Sequence, residues 1–157
     1  MNLMSVHKHN EVCSYSAQYS ADFVERWDEL IDWEKRKKGE SGFFEQLLRA
    51  HGVRSVIDVS TGSGFHAVQF KEAGFDVVAS DGSSTMLTKA RANFRQRGLE
   101  IESHYLDWLE LDPTVLGTFD AVVCLGSSLC HVFDGHERLT VLEKFRALLK
   151  PGGLLIV

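Results

Sequence analysis

Two glycines, Gly62 and Gly64, stand between a β-branched run and a helical pattern, and this junction constrains the fold more than any other feature of the chain. The run Val53-Arg-Ser-Val-Ile-Asp-Val59 reads as a short strand. Helical spacing begins near residue 65 and continues to about 73. Glycines at such a junction let the backbone turn tightly and approach a ligand closely, because they carry no Cβ. Strand, glycine turn and helix in this order open a parallel β-α-β unit.

The rest of the chain repeats the alternation. Phe75-Asp-Val-Val-Ala79 is a second strand ending at Asp81, and Ser83 or Ser84 caps a long helix that runs to about Arg97 and stops at Gly98. A third strand is expected over 101–106, then a short helical or turn segment over 108–117. Phe119-Asp-Ala-Val-Val-Cys-Leu125 is continuously apolar enough to be a strand buried on both faces. A helix over 136–149, a turn at Lys150-Pro-Gly-Gly and a fifth strand from Leu154 complete the series. The fold class that follows is α/β: a Rossmann-like parallel sheet with flanking helices. Before it, 20–38 reads as one helix with Phe23, Trp27, Leu30 and Ile31 at helical spacing. Residues 36–42 read as a solvated break, and a second helix over 43–51 ends at Gly52. The expected organisation is a flexible segment over 1–19, a helical extension over 20–52 and the sheet domain over 53–157. The chain stops inside a strand pattern with no closing helix, so the domain is expected to be C-terminally incomplete after its fifth strand.

Composition narrows the partners. With 157 residues the chain can bury one sizeable core. The net charge is −5 and the basic residues are interleaved with acids, which argues against a nucleic-acid surface. No run approaches the ~20 apolar residues of a membrane span, and no signal-peptide core is visible at the N-terminus. The three cysteines, Cys13, Cys124 and Cys130, fit neither a disulfide framework nor a zinc spacing, which suits a reducing cytoplasm and no metal. The pattern leaves a homo-oligomer open.

Acids placed around the glycines carry the chemistry. Asp81 ends the second strand about 20 residues after the loop, where an acid that holds ribose hydroxyls belongs. This alone fits two ligands, since Gly62-Ser63-Gly64-Phe65-His66-Ala67 also matches the G-x-G-x-x-A pattern of dinucleotide sites. Asp58 separates them. A carboxylate beside the loop repels a pyrophosphate in a dry site, yet suits an adenosyl ligand that carries a sulfonium and an ammonium group. Asp107 after the third strand is placed to take an adenine amino group.

The segments Asp58–Gly64, Asp81, Asp107-Trp108, Cys124-Leu-Gly-Ser-Ser128 and Lys150-Pro-Gly-Gly153 together resemble the successive motifs of class I S-adenosylmethionine-dependent methyltransferases. Arg26-Trp-Asp-Glu-Leu-Ile-Asp-Trp-Glu34, Thr61-Gly-Ser-Gly-Phe-His66 and Ala73-Gly-Phe-Asp-Val-Val78 are similar to the glycine and glycine/sarcosine N-methyltransferases. The resemblance implies S-adenosyl-L-methionine as cofactor and methyl transfer to the amine of a small amino acid. Alternatives are another small-molecule acceptor, or a cofactor-binding fragment that is catalytically incomplete. It implies that Tyr19 and Trp27 close over the cofactor and Arg36 binds its methionine carboxylate. Asp58, Ser60, Gly62 and Gly64 would form the loop around its amino acid part. Asp81, Gly82 and Met86 would hold the ribose side, Asp107 and Trp108 would flank the adenine, and the Leu125 carbonyl would face the ligand. Tyr19, Ser127 and His131 would face the acceptor. At Ser127 the chain departs from the family's Leu-Gly-Asn-Ser pattern, and serine offers one donor where asparagine offers two.

Overall fold

The computed structural model describes residues 20–157, so Tyr19, Cys13 and the rest of 1–19 lie outside the described residues. Five strands form a wholly parallel sheet in the order β3-β2-β1-β4-β5: β1 Ser55–Asp58, β2 Asp76–Asp81, β3 Glu102–Tyr105, β4 Phe119–Val123 and β5 Leu149–Ile156. Successive side chains of a strand point to opposite faces, and the two cores follow from this. Val56 joins Phe70, Phe75, Phe94, Ala121 and Val123 on one face, while Ile57 joins Leu111, Val122, Phe145 and Leu148 on the other. The order reverses direction between β1 and β4, and the crevice at the carboxyl ends of such strands is where parallel sheets bind ligands.

The expected single helix over 20–38 is three short ones: α1 Ala21–Glu25, α2 Trp27–Ile31 and α3 Trp33–Glu40. One break falls at Arg26 and the other at Asp32, whose backbone is left-handed (φ 43°) and whose carboxylate caps α3 by accepting from the Lys35 N–H at 3.1 Å. Asp tolerates this conformation better than most residues because its side chain bonds locally. The cap lets α3 run on to Glu40, through the stretch expected to be a solvated break. The next helix, α4 Phe43–Ala50, places Leu48 without exposure in the same core as Val56 and Phe70. The N-terminal helices are also tied to the sheet domain through Asp28. Its carboxylate accepts from Trp33 Nε1 (3.0 Å) and from Asn93 Nδ2 (2.9 Å), and Asn93 Nδ2 donates as well to the Ser63 carbonyl in the glycine loop (2.9 Å).

The remaining helices lie close to expectation: α5 Phe65–Glu72, α6 Ser84–Gln96 capped by Ser83, α7 Pro113–Leu116 and α8 Gly135–Ala147. Short 3-10 turns span Trp108–Glu110 and Ser128–His131. One expectation is corrected. Lys150-Pro-Gly-Gly153 is not a turn ahead of the last strand but a bulge inside β5: β4 advances from Phe119 to Ala121 while β5 advances from Leu149 to Leu154. The bulge brings Lys150 Nζ to 2.9 Å from Asp120 Oδ1, and the other oxygen of Asp120 accepts from the Arg54 and Ser55 backbone N–H groups at 2.9 Å each. Lys150, with these N–H groups, holds the Asp120 carboxyl well below the usual carboxylate range and staples β1, β4 and β5 at the end opposite the crevice. Among the described residues no helix is long and apolar enough to cross a membrane.

Candidate functional site

A cavity of about 310 Å³ opens over the carboxyl ends of β1, β2 and β4, a size that suits a small ligand. Its floor is the loop between β1 and α5. Gly62 is left-handed there (φ 56°), and a Cβ at this position would meet nothing within 4 Å, so its freedom serves the turn. Four of the loop's amides are committed inside the protein. Ser60 N–H donates to Asp58 Oδ1 (3.2 Å), Thr61 N–H to the Ser80 carbonyl (3.0 Å), Gly62 N–H to Asp81 Oδ2 (2.7 Å) and Gly64 N–H to the Thr61 carbonyl (2.8 Å). A pyrophosphate is bound through free amides at such a loop, and these four do not offer them.

Asp81 is the pivot of the site. Oδ2 takes the Gly62 N–H and Oδ1 takes the Ser83 N–H at 2.8 Å. Each oxygen keeps a second lone pair, and the residue lines the cavity. That is the arrangement a vicinal diol needs. Burial raises its carboxyl above the usual range, and the two N–H groups work against that rise. Gly82 and Met86 line the cavity beside it.

The opposite flank is built by the segments after β3 and β4. Asp107 lines the cavity while capping the turn behind it, with Oδ1 accepting from the Leu109 N–H at 2.9 Å. Trp108 lines the cavity and is braced: Nε1 donates to the Val59 carbonyl at 2.6 Å, and the ring meets Phe145 edge-on at 5.6 Å. The Leu125 carbonyl accepts from the Ser60 hydroxyl (3.3 Å) and from the Ser128 hydroxyl (3.0 Å). A ligand amine reaching that carbonyl would replace one of these hydroxyls. His131 closes this side, and Trp27 and Arg36 come over the top from α2 and α3.

Three expected site residues are placed elsewhere. Gly64 does not line the cavity; a Cβ there would stand 2.5 Å from Phe94 Cε1 and 3.3 Å from Ala90, so this glycine is required by the approach of α5 to α6. Ser127 is exposed, lies outside the lining and holds a left-handed backbone (φ 64°). Asparagine is favoured over serine in that region, which gives the family's Asn at this place a backbone reason. Asp58 lies beneath the loop, 2% exposed, and does not reach the cavity surface. Conversely, Ile31, Phe65, His66 and Ser128 line the cavity without having been singled out. Phe65 and His66 open the helix after the glycines, where the first turn must face the ligand, and this was the signal available.

Burial pushes the Asp58 carboxyl up to about 6, against the opposing pull of the His66 charge and the Ser60 N–H. A carboxyl whose folded value is raised contributes stability that is complete below its unfolded value near 3.8 and is lost as pH rises through about 6. At pH 7 the ionised form therefore costs on the order of 2–3 kcal/mol. Asp58→Asn is expected to stay folded and to gain thermal stability over the parent as pH rises from 4 to 7. Melting curves across that range check it; a difference between the two proteins that does not change with pH contradicts it. The Cys124 thiol, pushed up to about 12 by burial, is chemically quiet, while Cys130 is exposed.

Comparison with known proteins gives the family and the shared fold. A family model described as a methyltransferase domain matches residues 56–153. The chain is 46% identical over 147 residues to a glycine/sarcosine N-methyltransferase of Parasynechococcus marenigrum (strain WH8102), covering 94% of this chain and 52% of that protein. It is 44% identical over 143 residues to a glycine/sarcosine N-methyltransferase of Halorhodospira halochloris, covering 91% of this chain and 53% of that protein. The chain thus spans about half the length of the curated relatives it matches. Among solved structures, an S-adenosylmethionine-dependent methyltransferase from Clostridium acetobutylicum ATCC 824 superposes with a TM-score of 0.72 at 23% identity, over 85% of this chain and 55% of that one, which establishes the shared fold.

Proposed function

Because this chain belongs to the methyltransferase-domain family, we propose that its cavity binds S-adenosyl-L-methionine and that the protein carrying it methylates the amine of a small amino acid, glycine or sarcosine. The observation that carries the cofactor half is the Asp81 carboxylate, held by one N–H from each of two loops with a lone pair of each oxygen left for the ribose hydroxyls. The acceptor half draws on the likeness to the glycine/sarcosine N-methyltransferases.

When bound, the cofactor supplies a methyl group on a sulfonium leaving group. The protein's residues have little covalent chemistry to perform. Asp107 and Trp108 flank the adenine, Asp81 fixes the ribose, and Arg36 meets the methionine carboxylate. Ser128 and His131 form the wall on the acceptor side. Their work is alignment: holding an amine lone pair at attack distance and keeping water away supplies much of the rate in such a displacement. A neutral amine needs no base. Ser127, the position that departs from the family pattern, stands outside the cavity lining, so that departure does not by itself argue for a different acceptor amine.

Calorimetric titration with S-adenosylhomocysteine and with NAD tests the cofactor; binding of the first and not the second is expected, and the reverse overturns the reading. Transfer of labelled methyl to glycine, sarcosine, dimethylglycine and a panel of other small amines tests the acceptor. Turnover is expected on glycine or sarcosine, and turnover confined to another amine replaces the acceptor assignment while leaving the cofactor in place.

A further inference from the structure

Arg36 is held before any ligand arrives. An arginine has about 2 kcal/mol of rotamer freedom to lose when it is fixed, and here the protein has already fixed it from three directions. Arg36 Nε donates to Glu40 Oε1 at 2.8 Å, one turn along α3. Its guanidinium lies 4.9 Å over the Phe65 ring. Its Nη2 stands 3.4 Å from His66 Nε2. The same Glu40 oxygen lies 3.2 Å from His66 Nε2, so a single carboxylate oxygen joins the arginine of α3 to the histidine of α5.

The histidine is itself immobile. It is 7% exposed, edge-on to Phe44 and Phe65 and stacked on Phe70. One ring nitrogen cannot serve both neighbours. With a hydrogen on Nε2 it donates to Glu40 and cannot accept from Arg36, and the arginine's terminal nitrogens stay available. Without that hydrogen it would accept from Arg36 Nη2 and turn a lone pair toward the Glu40 carboxylate. The Glu40 carboxylate oxygen that faces Nε2 at 3.2 Å can only accept, so the first arrangement is the one that satisfies it. Glu40 accords with this: burial would raise its carboxyl, yet the hydrogen bonds from His66 and Arg36 outweigh burial and leave it lowered.

We propose that Glu40 and His66 are positioning residues that present the terminal nitrogens of Arg36 to the cavity, and so set its selectivity for ligands bearing an amino-acid carboxylate. This rests on the reading of Arg36 under Proposed function. Glu40 takes up the Nε edge, leaving the terminal Nη pair to fork onto a carboxylate. His66, by donating to Glu40, keeps that carboxylate in place and does not draw Arg36 away.

The test compares two ligands that share the thioadenosine half: S-adenosylhomocysteine, which has the carboxylate, and 5′-methylthioadenosine, which lacks it. Dissociation constants are measured by calorimetry for the parent chain and for Arg36→Ala, Glu40→Ala, Glu40→Gln, His66→Leu and His66→Gln, with melting temperatures alongside. Glu40→Ala and His66→Leu are expected to weaken S-adenosylhomocysteine five- to tenfold and 5′-methylthioadenosine less than twofold. His66→Gln, whose amide can still donate to Glu40, is expected to restore most of the loss. Glu40 is partly exposed, so its variants remain informative if those at His66 fail to fold. Equal weakening of both ligands in Glu40→Ala, with Arg36→Ala selective, overturns the positioning role and leaves Arg36 as the carboxylate contact. A ligand ratio unchanged in Arg36→Ala overturns the reading of Arg36 and the proposal together.

Discussion

Asp81→Asn is expected to raise the dissociation constant for S-adenosylhomocysteine by roughly one to two decades, the largest effect on binding that a single substitution in this site should produce. The carboxylate accepts from the Gly62 and Ser83 N–H groups and offers one further lone pair per oxygen. Asparagine turns one of those oxygens into an NH2 group. That group would face a backbone N–H, donor against donor, and would also lose a ribose hydroxyl. A hydrogen bond to a charged group is worth about 1.5–3 kcal/mol, and a tenfold change in affinity is about 1.4 kcal/mol, so the lost ribose contact alone amounts to roughly one to two decades, while the clash with the backbone N–H loosens the loop with or without a ligand. A general loosening of the loop would weaken every ligand alike. The informative measurement is therefore the preference for adenosine over 2′-deoxyadenosine, by calorimetry below the variant's melting temperature. The parent should show that preference and Asp81→Asn should lose it; a preference that survives would remove Asp81 from the ribose.

Gly64→Ala is expected to be the most destabilising small substitution, at roughly 3–5 kcal/mol, combining backbone strain with overpacking of a core. Its φ of 93° is one that an L side chain rarely adopts, and its new Cβ would stand 2.5 Å from Phe94 Cε1. Phe94 is itself buried on the main core face, so it cannot swing into solvent. For a domain of this size such a loss lowers the melting temperature by about 10 °C or more. Gly62→Ala is the comparison: it is also left-handed but has open space around its Cβ, so only the backbone cost of roughly 1–2 kcal/mol remains. Pairing Gly64→Ala with Phe94→Leu should recover part of the loss, because it relieves the contact and not the backbone. Thermal melts of the three variants decide the matter, and equal losses at Gly62 and Gly64 would contradict the packing account.

These two residues show which parts of the site could be read from the chain. The adjacency of the Asp81 carboxylate to Gly62 follows from strand order, because β1 and β2 pair in parallel with Asp58 beside Ala79, so the loop after β1 runs alongside the last two residues of β2. Local pattern was enough to find it. The need for Gly64 depends on Phe94, thirty residues away, and no spacing rule reports which side chain a later helix will press against a glycine. The same limit applies at Asp58: its position before the loop was legible, but its burial depends on how the loop folds over it. In the N-terminal region, Phe23, Trp27, Leu30 and Ile31 do keep helical spacing, but Asp32 breaks the helix by adopting a conformation that its flanking residues do not announce. Lys150-Pro-Gly-Gly153 has turn composition yet stays in the sheet, because Lys150 has Asp120 to reach and Gly153 must pass close to the Lys150 and Asp120 carbonyls. Without the resemblance, which implies its role, Arg36 is one cation in a basic run; its partners Glu40 and His66 come from a helix turn and from another element.

The inward commitment of the glycine-loop amides has a consequence for the company such a protein keeps. Wherever metabolism runs, ATP and the nicotinamide dinucleotides are abundant, and they share adenine and ribose with the ligand proposed for this cavity. Side chains that recognise adenine and ribose cannot tell them apart. The backbone can, because a loop whose N–H groups at Ser60, Thr61, Gly62 and Gly64 already have acceptors gives a phosphate chain little to hold. These four amides then add to discrimination against the cell's commonest adenine compounds through the wiring of the main chain, and substitutions of the side chains around the adenine should leave that contribution intact.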